Sequence, residues 1–440
     1  MDEFSPTEFR PIIQSMPPNC FLSLPTELIA QVLTDWLKWI DVVRADSAIC
    51  NTINRLSWME LLKNDCVFTS VNHCSRTSKY EKNGCSWFVA RQIRMRELKM
   101  NTAKWIDTNA VSRWLGNSVR YVEKVIVLPQ YCSNYESLPS VVHILTNLRE
   151  FVVSYCDTDD AFWEVIQRNP NLVSLSVKDC NWSIMEKAPK NLTLPCLTRL
   201  SVVDGFLTPS VAESFLKQLP ALHSLQLGHP GSLDMYCILP NACPGLVMLD
   251  LTSSVLWKYD TARFSNLMKS LRTGLRCLML PVVQYFTPTE LQSISEYHGH
   301  SLRCLRIIDL INITDSSVSD LVNNLPHLHT LSLGCKILPL LVQKTITNKS
   351  ITHLIVSHIY HENCVLHHIT PHFPAVTMLS LGCFGRDTAI VKDVTKFLSQ
   401  RRMVHTVCIE KEDIAKQLRI VLPQIVVLQG DSFDLFANQY

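Results

Sequence analysis

Apolar residues recur along this chain in the order L-x-x-L-x-L, with Ile, Val, Met or another apolar residue at some positions. Thirteen copies begin at Met95, Val122, Leu148, Leu172, Leu197, Leu222, Leu246, Leu275, Leu302, Leu328, Ile351, Val376 and Val404, in steps of 23 to 29 residues. LVSLSV, LTRLSV, LHSLQL, LVMLDL, LRCLML, LHTLSL and VTMLSL are the clearest. Counting the first apolar residue as offset 0, offsets 0, 3 and 5 point inward, and offsets 2, 4 and 6 point out of a strand ladder. The rest of each copy is long enough for a helix. Phe162, Val165 and Ile166 share a helical face, as do Val211, Phe215 and Leu219, and Val318, Leu321, Val322 and Leu325. Pro170, Pro220, Pro326 and Pro374 stop those helices before the next strand. Parallel strands need a crossover between them, and each copy supplies its own. The pattern therefore predicts an α/β fold, a right-handed stack of about thirteen parallel strands with helices outside. Leu422, Ile425 and Val427 follow Val404 after only 18 residues and predict a truncated closing strand.

The period and pattern resemble leucine-rich repeats. Cys156 and Cys180 stand at offset 8, and Cys335 and Cys383 one residue earlier in LSLGC. This usage, with ITDSSVSDLVNNLPHLHTLSLGC, resembles the cysteine-containing subclass of the family, and these thiols are expected to be small buried apolar groups. The resemblance implies a solenoid that buries its leucines and offers a concave face to a partner. On that face the candidate partner-binding residues are Met248, Asp250, Met279, Arg306, Ile308, His353, Ile355 and Met378. Apolar groups on an open face mark contact sites, which favours these later repeats. The plainer reading is a solvated sheet face.

Before the repeats, residues 1–20 hold four prolines and predict a mobile tail. Residues 21–65 read as helical. Pro25 suits a first helical position. Leu28, Val32, Trp36 and Ile40 recur every four residues beside Ile29, Leu33 and Leu37. Asp41 can cap a second helix, and Trp58, Leu61 and Leu62 close the segment. Residues 66–90 are a largely polar connector that turns helical from Trp87, and the repeat domain spans 91–440.

The stretch LSLPTELIAQVLTDWLKWIDVVRADSAICNTINRLSWMELL resembles an F-box. Leu24, Pro25, Glu27 and Leu28 match the family's L-P-x-E-[LI] opening. Val32, Leu33 and Leu37 match its first helix, Asp41, Val42 and Val43 its acidic-aliphatic step, and Trp58 and Leu61 its close. ADSAICN stands where the family has V-x-x-x-W, and Ser57 precedes the tryptophan in place of leucine. The resemblance implies docking on a Skp-type linker protein and a cullin ligase core, through Leu24, Pro25, Leu28, Val32 and Trp36. The alternative is a helical cap over the first repeat, since an open end exposes core leucines.

Composition narrows the function classes. The chain is 47% hydrophobic and 18% charged with a net charge of +2. No basic stripe points to nucleic acid or an anionic membrane. The acidic N-terminus lacks a signal-peptide core, and no apolar run has membrane-span length. A cytoplasmic or nuclear location is therefore expected, with the 17 cysteines as free thiols and no C-x-x-C pair among them. Sequons at Asn181, Asn191, Asn312 and Asn348 carry little weight without a secretory signal. His361, Cys364, His368 and His372 have helix-like spacing, but Pro371 interrupts it, so no metal is expected. Phosphate-cradling glycine loops and hydrolytic motifs are missing, and neither a cofactor nor catalysis by this chain is expected. The functional expectation is a substrate-recruiting adaptor of an SCF-type, cullin-based ubiquitin ligase that binds a protein substrate. The alternative is a scaffold or regulator of protein–protein interaction with no ubiquitin link.

Overall fold

The fold is taken from a computed structural model. It describes residues 25, 29–30, 33, 39–49, 55–64, 67–68, 71–73, 94–101, 119–128, 136–138, 140–157, 160–180, 188–189, 191–203, 208–228, 234–252, 261–271, 274–280, 286–307, 315–334, 348–359, 373–383, 388–399, 403–409 and 411–429. The chain forms two compact units, Met1–Leu197 and Thr198–Tyr440.

The first unit opens with two described helices, α1 (Trp39–Ala48) and α2 (Arg55–Asn64). Its strands are β1 (Val67–Phe68), β2 (Val71–His73), β3 (Arg94–Met95), β4 (Glu97–Asn101), β5 (Lys124–Leu128), β6 (Glu136–Ser137), β7 (Glu150–Ser154), β8 (Cys156–Asp157) and β9 (Ser174–Lys178), with helix α3 (Asp160–Arg168) before β9. Strands β2, β4, β5, β7 and β9 form a parallel ladder in that order. The inward row Leu98–Val125–Phe151–Leu175 is in register across it.

The second unit alternates strands and helices. It contains β10 (Arg199–Val203), α4 (Pro209–Leu216), β11 (Ser224–Leu227), α5 (Asp234–Ala242), β12 (Met248–Asp250), α6 (Thr261–Ser270), β13 (Cys277–Met279), α7 (Pro288–His298) and β14 (Cys304–Ile307). It continues with α8 (Asp315–Asn323), β15 (Thr330–Gly334), β16 (His353–Ile359), β17 (Met378–Cys383), α9 (Thr388–Ser399), β18 (Thr406–Ile409), α10 (Glu412–Val421) and β19 (Val426–Gln429). All ten strands are parallel and stacked in chain order. Leu200, Leu225, Leu249, Leu278, Leu305, Leu331, Leu354, Leu379, Val407 and Val427 make its inward row.

Each of the thirteen copies gives a strand that begins at offset 2, from Glu97 to Thr406. The closing strand is β19, in which Val427 is buried, as is Leu422 before it. The helical stripes also hold. Phe162, Val165 and Ile166 are buried on α3, Phe215 on α4, and Val318, Leu321 and Val322 on α8. Phe162 stacks on Phe151 of the ladder at 5.8 Å between ring centroids, so the stripe meets the inward row directly. Strands β1 and β2 fall inside the span read as a connector. They are two and three residues long, too short to give a periodic signal. The helix expected from Trp87 lies outside the described residues, and Arg94–Met95 is strand.

Buried polar side chains tie successive repeats together where backbone groups would otherwise be orphaned. Asn169 Nδ2 donates to the carbonyls of Val165 and Leu145 at 2.8 and 3.0 Å, and its Oδ1 accepts from the amide of Leu148 at 2.7 Å. Asn348 repeats the device, donating to the carbonyls of Val322 and Leu325 at 2.7 Å each. This sequon asparagine is thus occupied by structure. His298 Nδ1 accepts from the amide of Leu275 at 3.1 Å. Cys156 and Cys180 are buried free thiols after the left-handed residues Tyr155 (φ 52°) and Asp179 (φ 47°), where the strands turn. Burial pushes the Cys180 thiol up to about 11.

Two substitutions test this account. Asn348→Ala leaves two buried carbonyls without their donor and should cost about 2 kcal/mol in denaturant unfolding. An unchanged midpoint would show that water replaces the amide. Cys156→Arg places a charge in the apolar row and should cost about 3 kcal/mol or more. A soluble variant with wild-type stability would contradict the packing described.

Candidate partner-binding surfaces

The ladder turns two rows of side chains away from the inward row, at offsets 2 and 4. In the second unit the first row runs Ser224–Met248–Cys277–Cys304–Thr330–His353–Met378–Thr406. The second runs Gln226–Asp250–Met279–Arg306–Ser332–Ile355–Ser380–Cys408. Seven of the eight candidate residues stand in these rows, whereas Ile308 lies outside the described residues. Strand β11 keeps the alternation of half-buried and buried positions expected of a ladder with one open face. Strands β13, β15 and β18 are buried at every position.

Met279 and Ile355 are consequently buried, in one apolar cluster with Cys277 and Cys304, and the half-buried Met248 and Met378 pack against it. The two cysteines were not among the candidates, although they share offset 2 with Met248 and Met378. The Cys277 thiol hydrogen-bonds Cys304. That bond, then burial, then the electrostatic influence of the neighbouring Cys304 and Asp250 hold it well above the usual thiol range. Such a thiol stays protonated and packs as a small hydrophobe. Asp250 is buried as well and belongs to a polar chain across β10, β11 and β12. The Ser201 hydroxyl donates to Gln226 Oε1, and Gln226 Nε2 donates to Asp250 Oδ2 at 2.9 Å. Asp250 Oδ1 accepts from the Thr252 amide at 2.8 Å and hydroxyl at 2.6 Å. Arg306, His353, Met248 and Met378 remain the partly exposed members of the candidate set. The hydroxyls of Ser332 and Ser380 are buried and meet no hydrogen-bond partner.

The corresponding face of the first unit is polar and self-neutralised. Lys124 Nζ lies 3.7 Å from Glu97 and 3.3 Å from Glu150, on the strands either side of it. Each of these side chains is partly exposed, so the pairs contribute little stability but cancel the local charge.

In the N-terminal segment, Leu24, Leu28, Val32 and Trp36 lie outside the described residues. Pro25 is exposed, and its carbonyl accepts from the Ile29 amide at 3.1 Å. Ile29 and Leu33 are buried. Asp46 is buried between the two helices. It accepts from Trp58 Nε1 at 2.9 Å and is paired with Arg55. This acid sits in ADSAICN, the stretch that departs from the F-box pattern, and it closes α1 on α2. One turn of α2 presents Leu56, 82% exposed, beside the buried Trp58.

Among the described residues, no group of three or more His, Cys, Asp or Glu side chains could hold a metal ion. His361, Cys364, His368 and His372 lie outside them. No described helix is long and apolar enough to cross a membrane.

Burial, then the charges of His329 and His405, lower the affinity of His353 for protons. Burial does the same to His298, against the opposing pull of the Met268 carbonyl. Both native imidazoles therefore stay neutral where unfolded ones, near 6.5, become charged. Their stability contribution is complete above that value and is lost as pH falls below it. Denaturant midpoints should drop between neutral pH and pH about 5.5, and the drop should shrink in His353→Gln. An identical pH profile in the variant would remove His353 from the account.

No protein-family model and no curated protein matches the chain. Among solved structures, the chain is similar to LegL7, a leucine-rich-repeat-containing protein from Legionella pneumophila. Identity is 13% and the TM-score 0.40, over 74% of this chain and 97% of that one. It is also similar to the yeast Rad7 and Elc1 complex, at 13% identity and a TM-score of 0.36, over 98% of both chains. The assignment of the fold rests on the strand register and the repeated strand–helix order, and by these the chain has the α/β fold of a leucine-rich-repeat protein.

Proposed function

We propose that this chain is a protein-binding receptor of the substrate-recruiting kind used by SCF-type ubiquitin ligases. The repeats hold a partner protein at the outward rows of the ladder, and the N-terminal helices dock a Skp-type linker that leads to a cullin core. The carrying observation is the in-register ladder itself, which sets outward side chains at about 4.8 Å from strand to strand over many repeats. Surfaces of this kind suit extended protein contacts more than small-molecule chemistry.

For the N-terminal segment, the supporting observation is the pair of α1 and α2. Asp46, Trp58, Leu61 and Leu62 close the helices on each other, yet Leu56 and Pro25 are exposed. An exposed large apolar side chain and an exposed proline in the same segment fit a docking face. The same buried residues favour the second reading, a scaffold in which these helices only cap the repeats. The two readings differ in a binding measurement with a purified Skp-type linker. Docking predicts micromolar or tighter binding by the full chain. It also predicts loss of at least roughly tenfold in affinity in Pro25→Ala/Leu56→Ala, with an unchanged melting transition. No binding by the wild-type chain would end the ubiquitin-ligase reading and leave the scaffold.

A further inference from the structure

The sequence contains no basic run, but the fold assembles one. The residue at offset 1 of each repeat enters the ladder just before the strand, and in most repeats its carbonyl accepts two amides of the next. Arg276 accepts from Arg303 and Cys304 at 2.8 and 2.9 Å, and Arg303 accepts from His329 and Thr330 at 2.8 and 3.0 Å. This repeated bond sets Arg276, Arg303 and His329 side by side, immediately before β13, β14 and β15 respectively. Their side chains are exposed, as is His405, entering β18; Lys349, also exposed, stands four residues before β16, in a repeat whose offset-1 residue is Thr352. Neighbours in such a row stand about 4.8 Å apart.

No acid neutralises this rim within the segments that build it. Residues 242–247, 270–276, 298–303, 324–329, 347–352, 371–377 and 400–405 contain not one Asp or Glu. The chain as a whole carries 39 acidic residues against 41 Lys and Arg, so the one-signed rim does not follow from composition. The first unit differs at the same offset, where Arg96 lies 3.8 Å from Glu123 on the next repeat.

We infer that the entry rim of β13 to β16 binds an Asp- and Glu-rich segment of a partner polypeptide, with Arg276 and Arg303 as its two carboxylate forks. Guanidinium groups bind carboxylates in bidentate fashion, and neighbouring ones engage successive acids of an extended chain. Single-stranded nucleic acid fits the rim less well, because binding it takes exposed aromatic platforms. The only Phe, Tyr or Trp in these segments is Phe373, which is buried. This inference rests on the protein-binding reading above and names the chemistry of the partner.

Fluorescence anisotropy of a labelled Glu/Asp-rich peptide with the full chain at low ionic strength tests it. Saturable binding should weaken as salt is added. It should fall roughly tenfold or more in Arg276→Glu/Arg303→Glu, and stay unchanged in Arg149→Glu, an exposed offset-1 arginine of the first unit. If charge reversal lowers the melting transition, Arg276→Ala/Arg303→Ala serves instead and should lose at least about half that effect. Three results would overturn the inference: no binding by the wild-type chain, equal loss in Arg149→Glu, or tighter binding of a single-stranded oligonucleotide of equal charge. Linker binding, measured on the same proteins, separates the two claims. A chain that binds the linker but not the acidic peptide loses only this inference. One that binds the peptide but not the linker keeps it and loses the ligase role.

Discussion

One backbone arrangement underlies every other feature of this chain. At the entry of most repeats a single carbonyl accepts two consecutive amides from the next, as Arg96 does from Glu123 and Lys124, and Thr377 from His405 and Thr406. That fork fixes the register to the residue. A slip of one position would send the inward leucines to the outside and the outward polar residues into the core. The constraint is local to neighbouring repeats, so the variable segments between strands can differ in length without disturbing it. It also decides what each offset is for. Offsets 0, 3 and 5 have no choice but the core, whereas offsets 1, 2 and 4 are open to function.

How those open offsets are used changes along the chain. In the first unit Glu97, Lys124 and Glu150 alternate in sign and satisfy one another. In the second, the outward positions become Cys, Thr, Ser and Met, and from β13 onward little of that face is left to solvent. Small side chains are shaded by their larger neighbours, so Cys277 and Cys304 vanish beneath Met248 and Met378. Apart from Asp250 and Arg306 the outward rows from β11 to β18 hold no Asp, Glu, Lys or Arg, so the face has little solvation to lose on burial. The hydroxyls of Ser332 and Ser380 are the exceptions, each buried without a partner.

Most of the fold was legible because it is written thirteen times. Any single L-x-x-L-x-L is weak, but its recurrence places each strand at offset 2, and the helix stripes at Phe162, Phe215 and Val318 follow from period alone. What was not legible depends on distance in space. Strands β1 and β2 are too short for a period; β2 pairs because the ladder offers β4 as an edge, and β1 pairs with β3 in a separate two-stranded sheet. Asn348 looked like a sequon and is a backbone staple, since only the fold brings the Val322 and Leu325 carbonyls to its amide. Asp46 looked like a departure from a motif and is the acceptor for Trp58. Offset alone sets seven of the candidate residues in the two outward rows. The burial of Met279 and Ile355 within them depends on neighbours more than twenty residues away in sequence.

The rim of the second unit shows why a motif search is blind to function in such a chain. Its charges are separated by a whole repeat in sequence and by one strand spacing in space. Nothing links Arg276 to Arg303 in a local window, yet the fork that fixes the register also fixes their separation. Charge at this offset is added one residue per repeat, and each addition is independent of core packing because the offset never faces the core. An electrostatic surface can therefore be built, extended or reversed by single substitutions with little cost in stability. The leucine rows are held constant by packing, and the offset beside them is free to carry specificity.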